Sequence, residues 1–179
     1  MNSAVSEPAL IGVDWGTTSL RAFLIDSNGQ VVDGASSPEG IMQVPGKSFE
    51  AVLDRLIGHW IAQSDLPILA SGMITSRNGW VETPYEAMPL GACNLAQALV
   101  PFDTEGGARV HFVTGASVEH AGGPDVMRGE ETQIIGASVL GLNEGTFVMP
   151  GTHSKWVQVA DGKIVDFSTY MTGEIFAAL

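Results

Sequence analysis

Apolar and polar positions alternate at the start of the chain and later shift to a longer period. Ile11 to Val13 are apolar and β-favouring, Gly16 interrupts, and Leu20, Phe23, Leu24 and Ile25 resume the pattern, so residues 11–26 predict two strands joined by a tight turn. Asn28-Gly29 is a strong hairpin signal, and it predicts a third strand over residues 30–35. After a loop with Pro38 and Pro45, residues 48–63 place Phe49, Val52, Leu53, Leu56, Ile57, Trp60 and Ile61 at helical intervals, with Ser48 as the expected N-cap. His59 and Trp60 read there as surface or packing residues. Residues 68–70 predict a short buried strand, 91–100 a helix closed by Pro101, and 109–113 another strand. Residues 114–123 read as a polar loop holding Ser117, Glu119 and His120, and 130–140 as a second helix. The β-β-β-α-β order implies a mixed sheet with a helix on one face.

The opening layout returns near the end of the chain. Residues 146–166 read as strand, Gly-Thr turn, strand, Asp-Gly turn and strand, with Gly151-Thr152-His153-Ser154 echoing Gly16-Thr17-Thr18-Ser19. Internal similarity of this kind predicts two related halves that each open with a three-stranded unit. Thr172 then reads as an N-cap, and residues 175–179 begin an apolar run that stops abruptly, which predicts that the second half is truncated here.

Candidate chemistry gathers at the turns. Asp14, Thr17, Thr18, Ser19 and Arg21 fall at one hairpin tip, where backbone N–H groups, hydroxyls and a guanidinium suit a phosphate chain and the carboxylate suits a hydrated divalent cation. The same residues could dress an ordinary tight hairpin, but the paired tip at Gly151 favours phosphate, since two such tips facing one another would grip a polyphosphate. The loop at 71–86 follows a strand's carboxyl end and holds Arg77, Asn78, Trp80, Glu82 and Tyr85, a set able to bind a polar organic molecule. Glu130 and Glu131 sit in a first helical turn, where the helix dipole alone favours carboxylates.

Composition narrows the function classes. The 179 residues carry a formal net charge of -12 with only 8 Lys plus Arg, a field that repels nucleic acid and requires any phosphate site to be local. A single Cys93 excludes an intramolecular disulfide and, without a Cys/His cluster, argues against structural zinc. Nothing reads as a transmembrane span, and MNSAVSEPAL lacks the basic and apolar regions of a signal peptide, so a cytoplasmic protein without a membrane partner is expected. P-loop, GxGxxG, GxSxG and HExxH motifs are all absent, which argues against P-loop NTPases, Rossmann dehydrogenases, elbow-type serine hydrolases and zincins.

Asp-x-Gly-Thr-Thr-x-x-Arg on an opening hairpin, with a second Gly-Thr hairpin after a helix, resembles the sugar-kinase branch of the actin, hexokinase and Hsp70 superfamily. More closely, VDWGTTSLRAFLID, SGMITSRNGW, MRGEETQIIG, PGTHSKWV and TYMTGEIFAAL are similar to successive blocks of the 2-dehydro-3-deoxygalactonokinase family. The resemblance implies an α/β, ribonuclease H-like, actin-type ATPase domain over residues 1–144, with a mixed five-stranded sheet flanked by helices, and the opening hairpins of a second such domain over 145–179. It further implies ATP-dependent phosphorylation of the 6-hydroxyl of 2-dehydro-3-deoxy-D-galactonate, with ATP and Mg2+ as cofactors and a homo-oligomer allowed. By the same resemblance Asp14 would hold Mg2+, Gly16, Thr17 and Thr18 would cradle phosphates, Arg21 would neutralise their charge, and Gly151 and Thr152 would form the opposing clamp. Arg77 and Asn78 would bind the sugar acid, Arg77 alternatively pairing with its carboxylate, while Trp15, Trp80 and Tyr85 would line the pocket. Glu130 is favoured as general base over Glu131 and Asp125. Kinases of another sugar or sugar acid, and a non-catalytic actin-like nucleotide-binding protein, are the competing readings.

Overall fold

The computed structural model describes residues 7–63 and 65–179. In chain order its strands and helices are β1 (Pro8–Trp15), β2 (Leu20–Asp26), β3 (Val31–Ser37), α1 (Phe49–Gln63), β4 (Ile68–Ser71), β5 (Tyr85–Ala87), α2 (Ala92–Gln97) and β6 (Val100–Asp103). They continue as β7 (Arg109–Phe112), β8 (Gly115–His120), β9 (Gly123–Met127), α3 (Glu130–Val139), β10 (Gly145–Met149), β11 (Ser154–Ala160), β12 (Lys163–Tyr170) and α4 (Thr172–Ala178). These elements pack into two compact units. The first joins the described residues up to Thr83 with Val100–Val113, and the second joins Pro84–Leu99 with Thr114–Leu179.

The first unit is a mixed sheet in the order β3-β2-β1-β4-β7-β6, with β1–β4 and β4–β7 parallel and the other pairs antiparallel. Alternation along β1 sends Ile11, Val13 and Trp15 into one core with Leu20 and Ala22 of β2, Ile68 and Ala70 of β4, and Val110 and Phe112 of β7. Helix α1 closes that core with Phe49, Val52, Leu53, Ile57 and Trp60. Burial of each large apolar side chain contributes about 1.5–3 kcal/mol, so packing rather than intrinsic propensity holds α1. Its start differs in detail from the expected cap, because the Ser48 hydroxyl donates to Pro45 O at 2.9 Å.

The sheet has six strands where five were expected. The additional one is β6, which begins where residues 91–100 were expected to be helical; α2 stops at Gln97. Pro101 fits because β6 is an edge strand, where a missing N–H costs no ladder bond.

The second unit contains two three-stranded sheets, β10-β11-β12 and β5-β8-β9. Leu90, Leu95, Ala116, Met127, Ile134, Ile135, Val157, Val159, Ile164 and Phe167 are its buried apolar residues. Leu90 exchanges backbone hydrogen bonds with Ile164 at 2.8 and 2.9 Å, tying the segment before α2 to β12. Residues 114–123, expected as a polar loop, instead build β8 and the start of β9; their hairpin exposes Glu119 and His120 at its tip while burying Gly115 and Ala116 at its base. His120 Nε2 lies 2.8 Å from Phe167 O, a strand-end contact. The buried Lys155 donates from Nζ to Val126 O at 2.5 Å and to Thr169 Oγ1 at 2.7 Å.

The expected internal similarity is visible in the backbone. β1-β2-β3 and β10-β11-β12 are both antiparallel meanders, and in both the register slips late in the middle strand, at Leu24/Ile25 and at Gln158/Val159.

Candidate functional site

In the first unit, the end of β1 and the start of β2 bring Asp14 directly opposite Arg21. Arg21 Nη2 contacts Asp14 Oδ2 at 2.9 Å, with the guanidinium side chain 56% and the carboxylate side chain 31% exposed. The turn between them is closed by Gly16 N donating to Ser19 O at 2.9 Å, and it leaves Thr17 and Thr18 exposed. The tip therefore presents one ion pair and two exposed hydroxyls, while Ser19 is half-buried. Trp15 does not join them. It is 1% exposed, and its indole Nε1 donates to Glu39 O at 2.8 Å, so period-two burial in β1 makes it a core residue rather than a pocket lining.

Parallel pairing places Ser71, the last residue of β4, beside Asp14. The carboxyl ends of β1 and β4 thus share one edge of the sheet, where α/β sheets present ligand-binding loops. Gly72 follows at φ 92°, and a Cβ there would lie 2.9 Å from Trp15 O and 3.3 Å from Asp14 Oδ1. Beyond it, a 3-10 turn over Met73–Thr75 leads to Arg77 and Asn78, both exposed on the same excursion. Trp80 turns back instead: its ring lies 5.3 Å from Phe102, 5.7 Å from Phe112 and 6.3 Å from Phe49, centroid to centroid, which makes it largely a packing residue.

The second unit carries the Gly151-Thr152 turn between β10 and β11, with both residues exposed. His153 Nε2 sits 2.6 Å from Glu174 Oε2, and the hydroxyls of Ser154 and Thr172 are hydrogen-bonded. Tyr85 is 43% exposed in this unit, and the Arg128 guanidinium stands 4.3 Å from its ring centroid, a cation–π contact. Arg128 is absent from the sequence-predicted set, although its position two residues before Glu130 in MRGEET was the available signal.

The three candidate proton acceptors have different surroundings. Asp125 is engaged through both oxygens, accepting from Thr169 Oγ1 at 2.6 Å and Thr169 N at 2.7 Å, with Lys155 Nζ at 3.9 Å. Glu131 is 1% exposed and accepts from Gly129 N at 2.8 and 2.9 Å. Burial pushes its carboxyl up to about 7 against the opposing pull of backbone hydrogen bonds, and the neighbouring Glu130 adds to the rise. Glu130 is half-buried at the start of α3 and accepts from Arg128 N at 3.1 Å. Geometry thus distinguishes a half-buried Asp125 bonded through both oxygens, an enclosed Glu131 and a half-buried Glu130 bonded to one backbone N–H.

Among the described residues no three His, Cys, Asp or Glu side chains gather into a metal-binding group. A cation at Asp14 would take one carboxylate and rely on water and phosphate oxygens for its other ligands, an arrangement suited to Mg2+. Among those residues, too, no helix is long and apolar enough to cross a membrane.

Residues 14–179 match the family model described as 2-keto-3-deoxy-galactonokinase. The chain is 40% identical over 168 residues to a probable 2-dehydro-3-deoxygalactonokinase of Rhizobium meliloti, covering 92% of this chain and 54% of that protein. It is 38% identical over 165 residues to the 2-dehydro-3-deoxygalactonokinase of Escherichia coli, again over 92% and 54% of the two chains. A Sinorhizobium meliloti crystal structure given the same kinase name provisionally superposes with a TM-score of 0.84 at 37% identity, covering 94% of this chain and 56% of that one. The Aquifex aeolicus Ppx/GppA phosphatase, at 13% identity and a TM-score of 0.51 over 93% of this chain and 53% of that one, shares the fold alone. The α/β, actin-type fold class therefore holds, and the chain spans about half the length of the curated relatives it matches. On these matches, the chain belongs to the 2-keto-3-deoxy-galactonokinase family.

Proposed function

We propose that the protein to which this chain belongs uses ATP to phosphorylate the 6-hydroxyl of 2-dehydro-3-deoxy-D-galactonate, in the cytoplasm. The observation that carries the reading is the Asp14–Arg21 pair flanking an exposed Gly-Thr-Thr turn at the carboxyl end of β1, in a chain of this family. Gly16, Thr17 and Thr18 take the β and γ phosphates, Arg21 offsets their charge, and Gly151 and Thr152 supply a second phosphate loop. Asp14 would hold Mg2+, whose charge would offset the negative charge that builds on the transferring phosphoryl group. Arg77 and Asn78 hold the sugar acid, the guanidinium matching its carboxylate, with Trp80 and Tyr85 at the margin of that site. Residues 1–144 form the first actin-like domain and 145–179 open the second, a division by ancestry that the discontinuous packing units do not follow.

In the reaction the 6-hydroxyl oxygen bonds to the γ-phosphorus while the bond from that phosphorus to the β,γ-bridging oxygen breaks, ADP leaves, and Glu130 accepts the hydroxyl proton. Glu130 is chosen because Glu131 is buried and both oxygens of the equally half-buried Asp125 already accept from Thr169. A coupled ADP-release assay, on the protein that joins this chain to the remaining length seen in its relatives, tests the reading. Turnover dependent on the sugar acid is expected, and Glu130→Gln should lower kcat about 10²–10⁴-fold. Turnover equal to the blank without sugar acid would refute the assignment. A panel of sugars and sugar acids separates this kinase from one acting on another substrate.

A further inference from the structure

Two glycines outside both Gly-Thr turns lie flat against them. A Cβ built on Gly40 would fall 2.2 Å from Thr17 O, 2.3 Å from Thr17 C and 2.3 Å from Thr18 N. Near-equal distances to the three atoms place Gly40 over the face of the Thr17–Thr18 peptide. In the second unit a Cβ on Gly173 would fall 2.4 Å from Gly151 O, 3.0 Å from Gly151 C and 3.0 Å from Thr152 Cα. Gly40 has φ -63°, a value open to any L-residue, so what the position needs is room rather than backbone freedom. The positions correspond: each glycine comes three residues after the third strand of its meander, past Ser37 in β3 and past Tyr170 in β12.

Each glycine introduces backbone N–H groups that bind the carbonyls of the turn it covers. Ile41 N donates to Gly16 O at 3.0 Å and Met42 N to Thr17 O at 3.4 Å, while Glu174 N donates to Thr152 O at 3.0 Å. In a trans peptide the C=O and the next N–H point in opposite directions. Carbonyls drawn toward residues 41–42 therefore turn the N–H groups of Thr17 and Thr18 away from that segment, and Glu174 does the same for the N–H of His153.

We propose that Gly40 and Gly173 are positioning residues whose missing side chains let a following segment seize the turn carbonyls, each aiming the amides of its own turn, Thr17 and Thr18 in the first unit and His153 in the second, at phosphate. The inference rests on the phosphate-loop reading above. A methyl group at either glycine must push the turn off its backing segment, because the obstructing atoms are backbone. The bare amides then lose their common direction, and a polyanion held by them binds less tightly.

The test is titration of the 15N-labelled 179-residue chain with inorganic tripolyphosphate, read at the amides of Thr17, Thr18 and His153. Saturable shifts are expected at all three in the unsubstituted chain. Gly40→Ala should weaken the response at Thr17 and Thr18 about tenfold, the worth of one amide hydrogen bond to an anion. Gly34→Ala, where the nearest atoms are an ordinary 3.8 Å away, should leave the affinity unchanged. A mere loss of stability cannot mimic this result, since a chain that remains folded binds with its folded-state affinity. A folded Gly40→Ala chain with the original affinity would overturn the proposal. If Gly40→Ala does not fold, Gly173→Ala read at His153 decides by the same criterion. Absence of any shift in the unsubstituted chain would instead overturn the phosphate-loop reading, and this inference with it.

Discussion

Replacing Glu131 by Gln should make the protein more stable at neutral pH, although it removes a charged acceptor from the first turn of a helix. Glu131 is 1% exposed, and its carboxyl is raised from an ordinary 4.5 to about 7, chiefly by burial. Between those two values the native state holds a proton that the unfolded chain has released, so stability falls as pH rises through the window and levels off above it. The separation corresponds to a folding penalty of about 3 kcal/mol once pH exceeds the native value, and to none below the ordinary carboxylate range. Glutamine escapes the penalty and keeps a carbonyl oxygen for the Gly129 N–H that now bonds Glu131 at 2.8 and 2.9 Å. Expected are equal stabilities near pH 4 and a gain of about 2–3 kcal/mol for Glu131→Gln near pH 8, read by amide hydrogen exchange in α3. A carboxyl 13C titration of Glu131 gives the native value directly. Titration near 4.5, or a Gln variant less stable near pH 8, would refute the reasoning and show that the Gly129 hydrogen bonds outweigh desolvation.

Other substitutions probe the two cores. Phe49, 2% exposed with its ring 5.5 Å from Trp15 in an edge contact, anchors α1 to the sheet, and Phe49→Ala should cost about 3–5 kcal/mol by urea denaturation. Asp125→Asn should cost about 1–3 kcal/mol, because it weakens the carboxylate that accepts from Thr169 N and Oγ1 beside the buried Lys155, while leaving turnover in the ADP-release assay, for which Glu130 is the proposed base, unchanged. A Glu130→Gln defect duplicated in full by Asp125→Asn would refute the choice of base.

Elements with a strong single period were legible in the chain. The helix over 48–63 and the strands around Gly16 and Gly151 follow directly from apolar spacing and turn residues. Misreadings came where tertiary pairing overrides local signal. Val100–Asp103 contains a proline and reads as a breaker, yet an edge position lets it pair with β7. Residues 114–123 look polar because β8 buries only its base. At the candidate site the residue types around Asp14 were readable, while the enclosure of Glu131, the inward turn of Trp80 and the stacking of Arg128 on Tyr85 depend on packing between distant segments. Gly40 and Gly173 gave no chemical signal, since a glycine chosen for space looks like any loop glycine.

The four tryptophans divide unevenly between the units. Trp15 and Trp60 are buried and Trp80 is packed among Phe49, Phe102 and Phe112, all in the first unit, whereas Trp156 alone serves the second and is 48% exposed. Intrinsic emission is therefore a report on one half of the molecule. A blue-shifted band that reddens on denaturation follows the β1–α1 core, while Trp156, already half in water, changes colour little when its sheet comes apart. A fluorescence melt could thus pass as one clean transition while the unit that carries Glu130 and Glu131 had loosened unseen.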